Sequence, residues 1–227
     1  MTTRLGWVAC LAGLALPMMA AAAPGGSIDA PSMPERQLSP QEIARNAYND
    51  GVRAVKRADK YDKDAAEAVK ESKKVKAAER AHKQYQKARN YFAAAVAKQT
   101  TMHEAWNYIG YTSRKLGEYE QALKAYDQAL RIKPDYELAI EYRGVAYIVL
   151  NRTEEAKAAY MRLFGSNRNL ADQLMQAMRQ WVSERRAHPS GVAAADIDAF
   201  AQWLDERIDI AQQTASLAVD APTEDWR

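Results

Sequence analysis

The 227-residue chain carries a formal net charge of +3 at pH 7, an alanine-heavy apolar fraction of 48% and a single cysteine, Cys10. That length suffices for one domain with a continuous core. No segment alternates β-branched residues between turn signals, which excludes a substantial sheet and predicts an all-α chain.

Arg4, the apolar run over 5–20 and the small residues Ala21, Ala22 and Ala23 together read as a secretory signal peptide over 1–23, with cleavage near Ala22 or Ala23. The run falls short of the roughly 20 residues that a membrane span needs. The mature chain is therefore expected to be periplasmic or secreted. Cys10 lies early in the run and lacks the leucine of a lipid-attachment pattern; losing the signal leaves no cysteine, so disulfides and thiol chemistry are excluded for the mature chain. Residues 24–39 are rich in proline, glycine and serine without periodicity, the composition of a flexible tether.

Helical order is expected from Pro40, where Ser39 can cap the first turn and Glu42 can complete a capping box. Tyr48, Gly51 and Val52 then resemble a helix built around a close crossing. Residues 57–86 are dominated by Ala, Lys and Glu with no Gly or Pro, and read as a long helix continuing into 85–98. Lys70, Lys73, Lys74, Lys76 and Arg80 make this stretch a basic spur, which reads either as a solvated helical face or as a docking face for an acidic protein, anionic headgroups or a cell-wall polymer.

Residues 103–136 hold the strongest pattern. Trp106, Ile109 and Ser113 fall on one helical stripe and Ala122, Tyr126 and Ala129 on another, with Gly117 between them and Pro134 after them. Small residues at Gly110 and Ala122 let the two backbones approach. The order Trp106, Ile109, Gly110, Ala122, Tyr126, Ala129, Pro134 resembles the tetratricopeptide repeat (TPR) family. Gly144, Tyr147, Ala156 and Tyr160 repeat the pattern about 34 residues on, in a unit over 137–168 with Asn151 in place of Gly117. Ala88, Phe92 and Ala95 precede it by the same spacing, which makes 40–102 a first hairpin with an extended helical insert. Two further segments follow around His188-Pro189-Ser190-Gly191, with Asn169 as the expected cap of the first; they are expected to cover the last repeat over 169–216, before a frayed tail at 217–227. The predicted fold is thus an α-solenoid of about three hairpins with C-terminal capping helices.

The resemblance implies a protein-binding groove lined by first-helix residues, here Glu104, Asn107, Tyr111 and Arg114, then Leu138, Glu141, Val145 and Ile148. A groove of this family that clamps a C-terminal carboxylate uses Lys, Asn and Arg at first-helix positions where this chain has Tyr108, Leu138 and Tyr142. That mode is not expected. No histidine pair, nucleophile elbow or phosphate loop suggests catalysis or a cofactor, and no aromatic stacking motif accompanies the basic charge as nucleic-acid binding would require. An export signal followed by repeats resembles small exported bacterial TPR proteins. The expected role is a noncatalytic adaptor or scaffold in the cell envelope; the other reading is an accessory subunit of an envelope enzyme or of a secretion or assembly machine.

Overall fold

The computed structural model describes residues 37–219, with side chains through 213. The expected signal segment, most of the expected tether and residues 220–227 lie outside it. Every regular element among the described residues is helical: α1 (Pro40–Glu67), α2 (Glu71–Lys98), α3 (His103–Lys115), α4 (Tyr119–Ile132), α5 (Glu137–Val149), α6 (Thr153–Ser166), α7 (Arg168–Ala187) and α8 (Ala194–Val219). Consecutive helices pack as hairpins, and each hairpin stacks on the next.

The start of α1 follows its sequence signals. The Glu42 backbone N–H donates to Ser39 Oγ at 3.2 Å, the Ser39 N–H donates to Glu42 Oε2 at 2.9 Å, and Pro40 occupies the first turn. The single long helix expected over 57–98 is not formed. Ala68 takes an extended conformation and the chain reverses through Val69 and Lys70, so the insert lengthens both helices of the first hairpin equally. Each has 28 residues, against 13 in α3 and 14 in α4. Helix propensity favours an unbroken rod here, but a rod would leave two apolar stripes in water. Folding back buries Ala54, Val55 and Ala58 of α1 with Ala81, Tyr85 and Ala88 of α2.

The second and third hairpins share one turn geometry. Gly117 (φ 80°) and Asn151 (φ 59°) take the left-handed conformation after α3 and α5, and the next residue closes the turn through Glu118 N–H to Ser113 O and Arg152 N–H to Tyr147 O, both 2.9 Å. Inside each hairpin a glycine accepts a large neighbour. A Cβ at Gly51 would lie 2.6 Å from the Phe92 ring, one at Gly110 would collide with the Tyr126 ring, and one at Gly144 would lie 2.7 Å from Leu174. The obstruction at Gly110 comes from Tyr126, one turn beyond the alanine expected at that crossing.

Leu174 belongs to α7, so α7 seats on the last repeat where a following repeat would pack. Trp181 of α7 donates to Asn151 Oδ1 at 3.2 Å, and Trp203 of α8 meets Tyr160 of α6 edge-on at 5.7 Å. The expected capping role of these helices is thereby seen in the packing. Two boundaries differ from expectation. Asn167, not Asn169, caps α7: its Oδ1 accepts from the Leu170 N–H while its amide donates to Glu137 Oε2 at 2.8 Å, a position that lets one side chain serve two helices. In addition, α8 runs to Val219, so 217–219 is helical and not tail.

Candidate partner-binding groove

The first helices of the three hairpins, α1, α3 and α5, meet through their side chains in one layer, and each carries a glycine packed against α2, α4 or α7 that marks an equivalent position. Tyr48, Asn107 and Glu141 each stand three residues before such a glycine; Val52, Tyr111 and Val145 stand one after. One side of this layer carries a continuous aromatic lining. Ring centroids are 5.8 Å apart for Tyr48 and Tyr108, 6.4 Å for Tyr108 and Tyr111, and 5.4 Å for Tyr111 and Tyr142, with Phe92 stacked beneath Tyr108 at 4.7 Å. All four tyrosines are half-buried.

Charge is concentrated at one end. Asp59 Oδ1 accepts from the hydroxyls of both Tyr85 and Tyr111 at 2.7 Å, while Asp62 Oδ2 accepts from Lys115 Nζ at 2.7 Å and lies 2.8 Å from the Tyr85 hydroxyl. Tyr85 has one proton to share between the two carboxylates. Burial, reinforced by these acceptors, pushes the Tyr85 and Tyr111 phenols far above their ordinary value, so both remain donors. The Arg114 guanidinium lies over the rings of Tyr111 (5.4 Å) and Tyr142 (5.7 Å). Burial works against its charge, yet Tyr126, Tyr111 and Glu141 hold its pKa above the guanidinium range. Burial likewise raises the Glu141 carboxyl to about 7, with Arg114 pulling the other way.

The residues expected to line the groove divide. Glu104, Tyr111, Arg114 and Val145 are partly accessible on this layer. Ile148, at 2% exposure, is core and not groove wall, because its stripe of α5 faces the interior of the hairpin stack. Asn107 and Glu141 are also buried; Asn107 Oδ1, Glu141 Oε2, Arg114 Nε and the Tyr126 hydroxyl find no hydrogen-bond partner among the described residues. The hydroxyl of Tyr126 lies beside the guanidinium without bonding geometry. Leu138 is exposed and lines a shallow hollow with Tyr136, Asn169 and Leu170, toward α7. Lys70, Lys73, Lys74, Lys76 and Arg80 are all exposed, at the tip and along one side of the long hairpin, where Arg80 lies over the Tyr61 ring at 5.8 Å.

Sequence reasoning missed Tyr48 and Asp59. The position of Tyr48 three residues before Gly51 was a usable signal. Asp59 gave none, since it reaches the groove only because α1 continues past the length of an ordinary repeat helix.

The family model for the tetratricopeptide repeat matches residues 103–136, the hairpin of α3 and α4. The chain carries a tetratricopeptide repeat. The TPR hairpin is followed by a second with the same turn and a close-packed glycine, and preceded by a longer one. Solved structures give weak overall similarity. The Sgt2 TPR domain from Aspergillus fumigatus is 16% identical, with 85% of this chain and 93% of that one covered at a TM-score of 0.43. The Arabidopsis OM64 TPR domain is 18% identical (59% and 98% covered, TM-score 0.42). The TPR2B domain of yeast Sti1, in a structure described as its pHsp70 complex, is 10% identical (73% and 98% covered, TM-score 0.39). The assignment rests on the repeat itself and on the hairpin geometry.

No described helix is long and apolar enough to cross a membrane, and no three described His, Cys, Asp or Glu residues cluster as a metal site would require.

Proposed function

We propose that this chain is a noncatalytic adaptor that holds a segment of a partner protein along α1, α3 and α5, and that it works after export, in a cell envelope. The observation that carries the binding role is the open tyrosine lining, in which the hydroxyls of Tyr48, Tyr108 and Tyr142 make no hydrogen bond among the described residues. Tyrosine supplies a large contact area with few torsions to immobilise, and its hydroxyl remains available to a partner's polar groups. Export is supported by the order of charge, apolar run and small residues over 1–23.

Capture from native envelope extract under mild crosslinking, with the wild-type chain and a Tyr111→Ala variant, tests the binding role. Recovery of a defined partner with faster dissociation from the variant is expected; equal dissociation from both, or substrate turnover by the purified chain, overturns it. For export, N-terminal sequencing of protein from its native host should begin near Ala23 or Pro24. A cytoplasmic form retaining Met1 contradicts that half of the proposal.

A further inference from the structure

We infer that the corner formed by Tyr48 and Tyr108, bordered by Glu104, seats a lysine or arginine side chain of the bound partner. The inference rests on the groove reading above and adds the chemistry of what the groove selects. Tyr48 and Tyr108 meet at 67°, making two walls of a corner whose floor is fixed by Phe92, edge-on to Tyr48 at 5.6 Å and stacked under Tyr108. Glu104 stands one helical turn before Tyr108 on the same face of α3, and burial, then Tyr48, Glu104, Tyr108 and Tyr142, raise the pKa of the nearby Tyr136 phenol.

Elsewhere on this layer the protein fills such places with its own cations. Arg114 lies over Tyr111 and Tyr142, Lys115 lies over Tyr85 and Tyr111 while bonded to Asp62, and Lys133 lies over Tyr136 at 5.6 Å. No described cation lies over Tyr48 or Tyr108. Among the described residues the nearby carboxylate is also not neutralised by an arginine or lysine: Glu104, with a side chain 43% exposed, pairs only with the His103 ring, 3.2 Å away. At this corner the Glu104 carboxylate thus has no lysine or arginine beside it among the described residues to offset its charge. Aromatic faces with an excess of carboxylate attract an ammonium or guanidinium and repel an acidic segment. A partner's cation would complete at the α1 end the arrangement that Arg114 makes at the α5 end.

The experiment selects binders of the full mature chain from a displayed library of random peptides, then measures the enriched peptides by fluorescence anisotropy. Enrichment of a basic residue at one fixed position is expected. Replacing that lysine by norleucine should weaken binding by about tenfold in wild type and by clearly less in Glu104→Gln, an exposed change whose melting curve should match wild type. Peptides enriched without a basic residue, or an unchanged affinity for the norleucine peptide, overturn the inference. If those peptides still lose affinity in Tyr111→Ala, the adaptor reading stands without it. If no enriched peptide responds to Tyr48→Ala, Tyr108→Ala or Tyr111→Ala, both readings fall.

Discussion

At the scale of single residues, the glycines and one glutamate carry the sharpest expectations. Gly110→Leu places side-chain atoms where the Tyr126 ring already lies, and Tyr126 is fully buried and cannot swing away. Urea denaturation should show a loss of about 1–3 kcal/mol, whereas Lys74→Ala at the exposed tip should change stability by less than about 0.5 kcal/mol. Glu141 makes stability depend on pH. Its folded pKa, about 7, lies above the ordinary glutamate value of 4.5, so the native state binds the extra proton between those values. Stability from this group is complete below pH 4.5 and is lost as pH rises toward 7, by an amount on the order of 3 kcal/mol. Glu141→Gln should remove that slope. Parallel stability–pH curves for the two proteins would show that the carboxyl titrates normally. Repeat glycines were legible from their spacing, whereas the environment of Glu141 was not, because burial of an acid beside Arg114 depends on how α3 and α5 pack.

At the scale of elements, the reversal between α1 and α2 was the main feature hidden from the sequence. Ala68, Val69 and Lys70 include no glycine, proline or capping side chain, and the amide groups beyond the turn are satisfied only by backbone, with Lys73 and Lys74 both donating to Lys70 O. Tertiary burial decides the break. Val69 is 99% exposed and follows an extended Ala68, the conformation a proline requires of its predecessor. Val69→Pro should therefore leave the melting temperature nearly unchanged, whereas Ala78→Pro, exposed but within α2, should cost about 3 kcal/mol or more. Comparable losses would mean that the helix runs through 68–70. By contrast, the ends of α1, α3 and α5 were marked by Ser39, Gly117 and Asn151, residues whose side chain or left-handed backbone acts locally.

At the scale of the molecule, the stack has a definite last layer. Leu174 fits over Gly144 and Ala159, and α7 with α8 buries Met178, Trp181, Phe200 and Leu204 beside the third hairpin. A chain ending at Ser166 should expose the α5 and α6 surfaces to solvent, bind a hydrophobic dye and associate during size-exclusion chromatography. A monodisperse, fully helical truncation would show the third hairpin to be self-sufficient. The solenoid class, its register over 103–164 and the capping role of the last two helices were readable because each rests on local periodicity. Which groove positions stay accessible was not, since Asn107, Glu141 and Ile148 are covered by neighbours distant in sequence.

Asp59 gives the long hairpin a fulcrum. One oxygen of this carboxylate accepts a hydrogen bond from the Tyr85 hydroxyl, inside the arm, and a second from the Tyr111 hydroxyl, in the groove wall. Beyond it α1 continues for two more turns, roughly 12 Å of helix, to the tip at Glu67. Strain applied at either end therefore converges on the same atom, and the two hydroxyls act as opposed guy-lines on it. Removing them one at a time and together, as Tyr85→Phe, Tyr111→Phe and the pair, should give stability losses that do not add. Additive losses would mean that arm and groove are mechanically independent.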